Sequence, residues 1–156
     1  MDRPLLLGIG AMASIVVASN ILVQHLLGNW LTWGALTYPF AFLVTDLVNR
    51  AAGPATARRV VVAGFGVGVI CSLVAGALGL TTFAIAAGSG IAFLAAQTLD
   101  VAIFDRLRAG LWWRAPLVST VLGSTLDTAL FFGIAFSGIA AFLDPADANA
   151  WAREAV

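Results

Sequence analysis

Lysine is absent from this sequence, and its eight arginines are matched by eight Asp and Glu. Formal net charge is therefore zero, and charged residues make up 10% of the 156. A water-soluble domain carries about a quarter charged residues, because its surface has to be solvated. So deep a deficit excludes a soluble enzyme, a disordered chain and a nucleic-acid-binding module with a basic face. Cysteine occurs once, at Cys71, and histidine once, at His25. One thiol cannot make a disulfide framework, and one thiol with one imidazole cannot build a metal centre of the usual kind. No His-plus-carboxylate constellation supports a nucleophilic triad either. No cofactor and no catalytic residue are expected.

Apolar residues fill the sequence instead. They account for 61% of the chain, and mean hydropathy is +0.99. A helix needs about 20 residues to cross a hydrocarbon core of about 30 Å. Five stretches are predicted to do so: Leu5–Leu27, Leu31–Asn49, Val60–Leu80, Thr82–Phe104 and Pro116–Gly138. Backbone groups in lipid must be paired within their own segment, and the runs are too long and too continuous for barrel strands. The expected fold is an all-α polytopic membrane helix bundle, a single transmembrane domain over residues 1–156. Val17-Ala18-Ser19 resembles a signal cleavage site, but the apolar run continues past it and four more spans follow.

The connections are chemically sorted. Arg50, Arg58 and Arg59 bracket the second, and Arg106, Arg108 and Arg114 crowd the fourth. The first and third contain no Arg, and the fifth carries Asp144 and Asp147. Basic residues in short loops mark the cytoplasmic side, which places the N-terminus, with Arg3, inside. Trp30, Trp33, Trp112, Trp113 and Trp151 fall at predicted span boundaries, where amphipathic rings anchor. Pro4 and Pro116 open helices, and Pro54 is expected in a loop. Pro39 falls inside the second span and is expected to kink it. The run Ala63-Gly64-Phe65-Gly66-Val67-Gly68 has no strand–turn–helix context for a dinucleotide site. Gly64 and Gly68, four apart, read as a close helix contact.

A carboxylate in mid-bilayer is costly and calls for a reason. Asp46 lies in the second span, with Asn49 and Arg50 at i+3 and i+4. An intrahelical ion pair with Arg50 is one reading of it. Asp100 has Gln97 one turn earlier and Asp105 with Arg106 close by. Asp127 lies about 16 Å beyond Pro116, beyond reach of any charge on its own helix. Asn20 and Gln24, with His25 beside them, end the first span. Carboxylates, amides and the aromatic neighbours Trp33, Tyr38, Phe40 and Phe42 suit a flat heterocycle with several N–H donors, such as a guanine-like base.

Several blocks of sequence resemble one family. They are Ser19-Asn20 with Leu22-Val23-Gln24; Thr32-Trp33-Gly34-Ala35; Tyr38-Pro39-Phe40-Ala41-Phe42-Leu43-Val44-Thr45-Asp46-Leu47 through Asn49-Arg50, Gly53 and Ala57-Arg58-Arg59; Gln97-Thr98-Leu99-Asp100-Val101 with Phe104-Asp105-Arg106-Leu107-Arg108; and Trp112-Trp113 through Ala115-Pro116, Ser119-Thr120, Gly123, Asp127-Thr128 and Phe131-Phe132. In order and spacing they are similar to the queuosine precursor transporters of the vitamin-uptake-like family of bacterial membrane proteins. The resemblance implies uptake of 7-cyano- or 7-aminomethyl-7-deazaguanine across the inner membrane. It also implies a fold akin to the substrate-binding subunits of energy-coupling-factor transporters.

Carried over residue by residue, Asn20, Asp46, Gln97, Asp100 and Asp127 match family polar positions and are the expected substrate-binding set. One deep Asp would grip the donor edge of the ring and Gln97 its carbonyl, while a second Asp would neutralise an aminomethyl cation. Ser124 departs from the family, where a larger polar residue is common. Members usually have six spans, and Trp151–Val156 reads as the run-in to a sixth, so the chain is expected to lack the final helix.

The expected partners are a purine-like small molecule and membrane lipids, with no nucleic acid. A second copy of the chain or an energising partner is left open. Apart from a purely structural helix assembly, two rival readings stand beside transport. One is a substrate-capturing subunit that docks an ATPase module through small-residue faces. The other is a membrane enzyme using Asp46, Asp100 and Asp127, which two of these carboxylates lying close together would favour.

Overall fold

The structure, a computed structural model, describes residues 3–28 and 31–136. Trp30, Asp144, Asp147, Trp151, the last two residues of the expected fifth span and the expected run-in to a sixth lie outside the described residues. The order of elements is α1 (Arg3–Leu22), β1 (Leu26–Leu27), β2 (Leu31–Thr32), a 3-10 turn (Trp33–Leu36), α2 (Tyr38–Ala52), α3 (Pro54–Ala77), α4 (Phe83–Leu107) and α5 (Arg114–Ala135). Among the described residues, four helices, α1, α3, α4 and α5, are long and apolar enough to cross a membrane. The all-α reading holds.

The second span differs from expectation. It is not one helix from Leu31 to Asn49. A 3-10 turn precedes α2, whose 15 residues rise about 22 Å, short of a hydrocarbon core. Pro39 is the cause. It stands in the first turn of α2, where its missing N–H would have had no intrahelical acceptor. It therefore starts a helix and does not kink one. The first span is also shorter than expected, ending at Leu22. Beyond it Leu26 and Leu27 pair with Thr32 and Leu31 in a two-residue antiparallel ladder around Gly28 at φ 70°.

Pro54 is likewise not in a loop. It is the first residue of α3, and Gly53 alone separates α2 from α3, at φ 83°. Arg58 and Arg59 thus ride on a helix. The far end of α3 closes with Gly79 at φ 70°. There the Leu80 N–H donates to Ala75 O at 2.8 Å and the Gly79 N–H to Gly76 O at 3.0 Å, a Schellman closure. Thr82 then caps α4, its hydroxyl accepting from the Ile85 N–H at 3.2 Å.

Packing follows the small residues. A Cβ on Gly64 would stand 2.5 Å from Met12 Cγ, so α1 and α3 close at that glycine, with Gly68 beside Val16 one turn on. Gly88 meets Ala135, and Gly123 meets Phe42 and Ala96, which draws α4 and α5 together against α2. The buried apolar core is Met12, Val16, Ala41, Val48, Ala57, Val60, Val61 and Val101. Outside it, Leu7 is 74% exposed and Leu73 70%. A soluble bundle would bury such side chains, whereas lipid solvates them.

Candidate functional site: an apolar cavity and a buried polar cluster

Helices α1 to α4 alternate in direction, so the end of α1, the start of α2, the second half of α3 and the start of α4 meet at one level. Glycines and alanines there leave space, and a cavity of about 710 Å³ opens between them. Its rings are Tyr38, Phe65, Phe83 and Phe93, and its polar groups include Ser19, Asn20, Ser72 and Ser89. Asn20 Nδ2 donates to Val16 O at 2.9 Å, which uses one of its two N–H groups and leaves Oδ1 free to accept.

A second polar region lies toward the other end, where α2, α4 and α5 meet. Thr45, Asp46, Asn49, Gln97, Asp100 and Ser119 are all buried there, Asp100 completely. Asn49, four residues after Thr45 and three after Asp46, lies on the same side of α2 as both. The Thr45 hydroxyl lies 2.5 Å from Gln97 Oε1 and 2.8 Å from Ala41 O. Asn49 Nδ2 donates to Val101 O at 3.0 Å. Ser119 Oγ lies 3.4 Å from both Asp46 Oδ1 and Pro116 O. Asp46 and Asp100 border the same turn of α5: Ser119 reaches Asp46, and a Cβ on Gly123 would stand 3.4 Å from Asp100 Cβ. Neither oxygen of Asp100 receives a hydrogen bond from a described residue, and Asn49 Oδ1 is equally unpartnered.

Arg50 Nη2 donates to Trp112 O at 3.0 Å, and its guanidinium stands 5.6 Å from the centre of the Phe104 ring. The expected Asp46–Arg50 ion pair does not form. Arg108 pairs with Asp105 at 3.1 Å, the one ion pair among the described residues. Asp127 stands apart on α5, half-buried, with Oδ1 enclosed and unpartnered.

Of the five expected residues, then, Asn20 lines the cavity. Asp46, Gln97 and Asp100 come together in the cluster and do not line the cavity. Gln24 and His25 leave the helix for the turn after α1. Ser119 was missed as a member of the cluster, although its spacing three residues after Pro116 and eight before Asp127 would have placed it on an inward face. Phe65, Phe93, Ser72 and Ser89 carried no signal, since apolar and small residues are ordinary in any membrane span.

Apolar helices with lipid-exposed flanks around an internal cavity and a buried acidic cluster define a multi-pass membrane protein. The family described as "Putative vitamin uptake transporter" matches residues 32–153. The chain belongs to that family. Among curated proteins it is 38% identical over 141 residues to the queuosine precursor transporter of Escherichia coli (strain K12), covering 78% of this chain and 64% of the relative. It is 39% identical over 138 residues to the probable queuosine precursor transporter of Haemophilus influenzae, covering 78% and 57%. A protein of the same description from Bacillus subtilis is 31% identical, covering 74% and 60%. The chain thus spans about 60% of the length of the curated relatives it matches. No solved structure matches it.

Proposed function

We propose that the chain imports 7-deazaguanine precursors of queuosine, the 7-cyano or 7-aminomethyl compound, across the bacterial inner membrane. The observation that carries this reading is the similarity, at 38% and 39% identity, to two proteins named for that transport. The cavity supports it independently. Its volume of about 710 Å³ lies within the range of about 300–1,000 Å³ usual for small-ligand sites. Aromatic rings suit stacking on a planar base, and Asn20 can both accept from and donate to its edge. Asp127, whose Oδ1 is enclosed without a partner among the described residues, is the carboxylate assigned as counter-ion for an aminomethyl group.

Orientation follows the arginines. With the N-terminus inside, Arg50, Arg58, Arg59, Arg106, Arg108 and Arg114 lie at the cytoplasmic face, and the cavity lies in the outer half. Substrate would enter from outside and pass toward α2, α4 and α5. Cells unable to make the precursors test this. Those expressing the protein are expected to accumulate labelled 7-cyano-7-deazaguanine, and uptake equal to that of empty-vector cells would contradict it.

Asp46 and Asp100, brought into one cluster, are also the arrangement that would favour a membrane enzyme. Their absence from the cavity wall argues for transport, because a molecule held in the cavity does not touch them. A substrate-capturing subunit remains the other reading, distinguished by co-purification of a nucleotide-binding partner.

A further inference from the structure

The cluster between α2, α4 and α5 holds two carboxylates, neither in an ion pair with a described residue. Asp46 and Asp100 border the same turn of α5, at Ser119 and Gly123, and Asp100 is fully buried with neither carboxylate oxygen partnered by a described residue. Asn49 Oδ1, one turn along from Asp46, is buried and unpartnered as well. The hydroxyl of Ser119, 3.4 Å from Asp46 Oδ1, has a single proton and a second acceptor in Pro116 O at the same distance.

Neither Arg50 nor Arg108 forms an ion pair with the cluster's carboxylates. From α2, Arg50 is held by Trp112 O and the Phe104 ring. From the end of α4, Arg108 pairs with Asp105 and reaches only the backbone carbonyl of Asn49, at 3.4 Å. The side chains that α1 and α3 bring to the adjoining core are Ile9, Met12, Ala57, Val60 and Val61, none of them titratable. Two carboxylates brought into one cluster out of water need a positive charge between them. Hard oxygen ligands of this kind select a small cation.

We propose that Asp46, Asp100, Ser119 and Asn49 Oδ1 bind one monovalent cation, a proton or a sodium ion, at a site separate from the substrate cavity. The same two helices serve both places. Tyr38 on α2 and Phe93 on α4 line the cavity, while Asp46 and Asp100 lie further along those helices. The Thr45–Gln97 contact ties α2 to α4 beside the acidic pair. Occupancy of the cluster therefore bears on how the cavity's walls sit. The ion's role in driving uptake rests on the transport reading; its binding does not.

The test uses the purified full chain in detergent, without substrate. Thermal denaturation is followed in sodium chloride and in choline chloride at equal ionic strength. Infrared difference spectra are taken between acid and alkaline buffer. A sodium site raises the melting temperature with sodium concentration, and Asp100→Asn abolishes the rise. A proton site shows no sodium effect but gives a carboxylic-acid C=O band that Asp100→Asn removes. Ser119→Ala guards against a variant that fails to fold. It is expected to raise the half-saturating sodium concentration by about tenfold, the loss of one oxygen partner, or to shift the carboxylic-acid band. Neither a sodium effect nor a band, or either one unchanged in both variants, overturns the proposal. Loss of precursor uptake with the ion effect intact would instead count against the transport reading alone.

Discussion

Ser119 Oγ on α5 lies 3.4 Å from Asp46 Oδ1 on α2, and one turn further along α5 a Cβ on Gly123 would stand 3.4 Å from Asp100 Cβ on α4. Three helices therefore meet at groups that a membrane interior tolerates only when they answer one another. No basic side chain among the described residues forms an ion pair with them: Arg50 donates to Trp112 O, and Arg108 pairs with Asp105. The arrangement separates this polar centre from the aromatic cavity that Asn20 lines.

Close approach of α5 depends on Gly123. A Cβ there would stand 2.8 Å from the Phe42 ring and 3.3 Å from Ala96 O. Gly123→Leu is expected to destabilise the protein by about 1–3 kcal/mol through overpacking, read as a lower melting temperature in detergent. Gly66, with open space where its Cβ would be, serves as the control. Gly66→Ala should leave stability unchanged or raise it by up to about 1 kcal/mol.

These contrasts mark what the sequence could and could not reveal. The long apolar runs forecast α1, α3, α4 and α5 because their length is dictated by the bilayer and needs no tertiary information. The proline positions misled where tertiary context decides. Pro39 read as a kink because the apolar run continued through it, whereas the chain breaks into a 3-10 turn and restarts there. Gly53 and Pro54 read as a loop, yet one residue at positive φ suffices to turn α2 into α3. Asp46, Gln97 and Asp100 were recognisable as costly residues, and their meeting was not, since it depends on the rotation of α2 against α4. The cavity was invisible for the same reason: its walls are Phe, Ser and Gly residues indistinguishable from lipid-facing ones.

Asn49 joins α2 to α4 through Nδ2 and Val101 O at 3.0 Å. Asn49→Ala removes that bond and is expected to cost about 1–3 kcal/mol of stability. Asn49→Asp should cost more, because it adds a third carboxylate beside Asp46 and Asp100 and loses the donor. Chemical or thermal denaturation of the two variants in parallel checks the order; an Asp variant as stable as wild type would contradict it.

Topology is open to labelling. Cys71 is the sole thiol and lies half-buried in α3, so Cys71→Ala gives a clean background. In intact cells, Leu78→Cys, at the exposed end of α3, is expected to react with a membrane-impermeant maleimide. Ala109→Cys, in the exposed connection after α4, should react only after lysis. The reverse pattern would invert the orientation.

The division between cavity and cluster is tested most directly by measuring 7-cyano-7-deazaguanine in two assays, equilibrium binding to purified protein and accumulation by cells. Asn20→Ala should weaken binding by about tenfold, the equivalent of one hydrogen bond of about 1.4 kcal/mol. Asp100→Asn should bind within about twofold of wild type yet fail to accumulate the compound. Binding abolished by Asp100→Asn and untouched by Asn20→Ala would contradict the account, because it would place the ring at the acidic cluster.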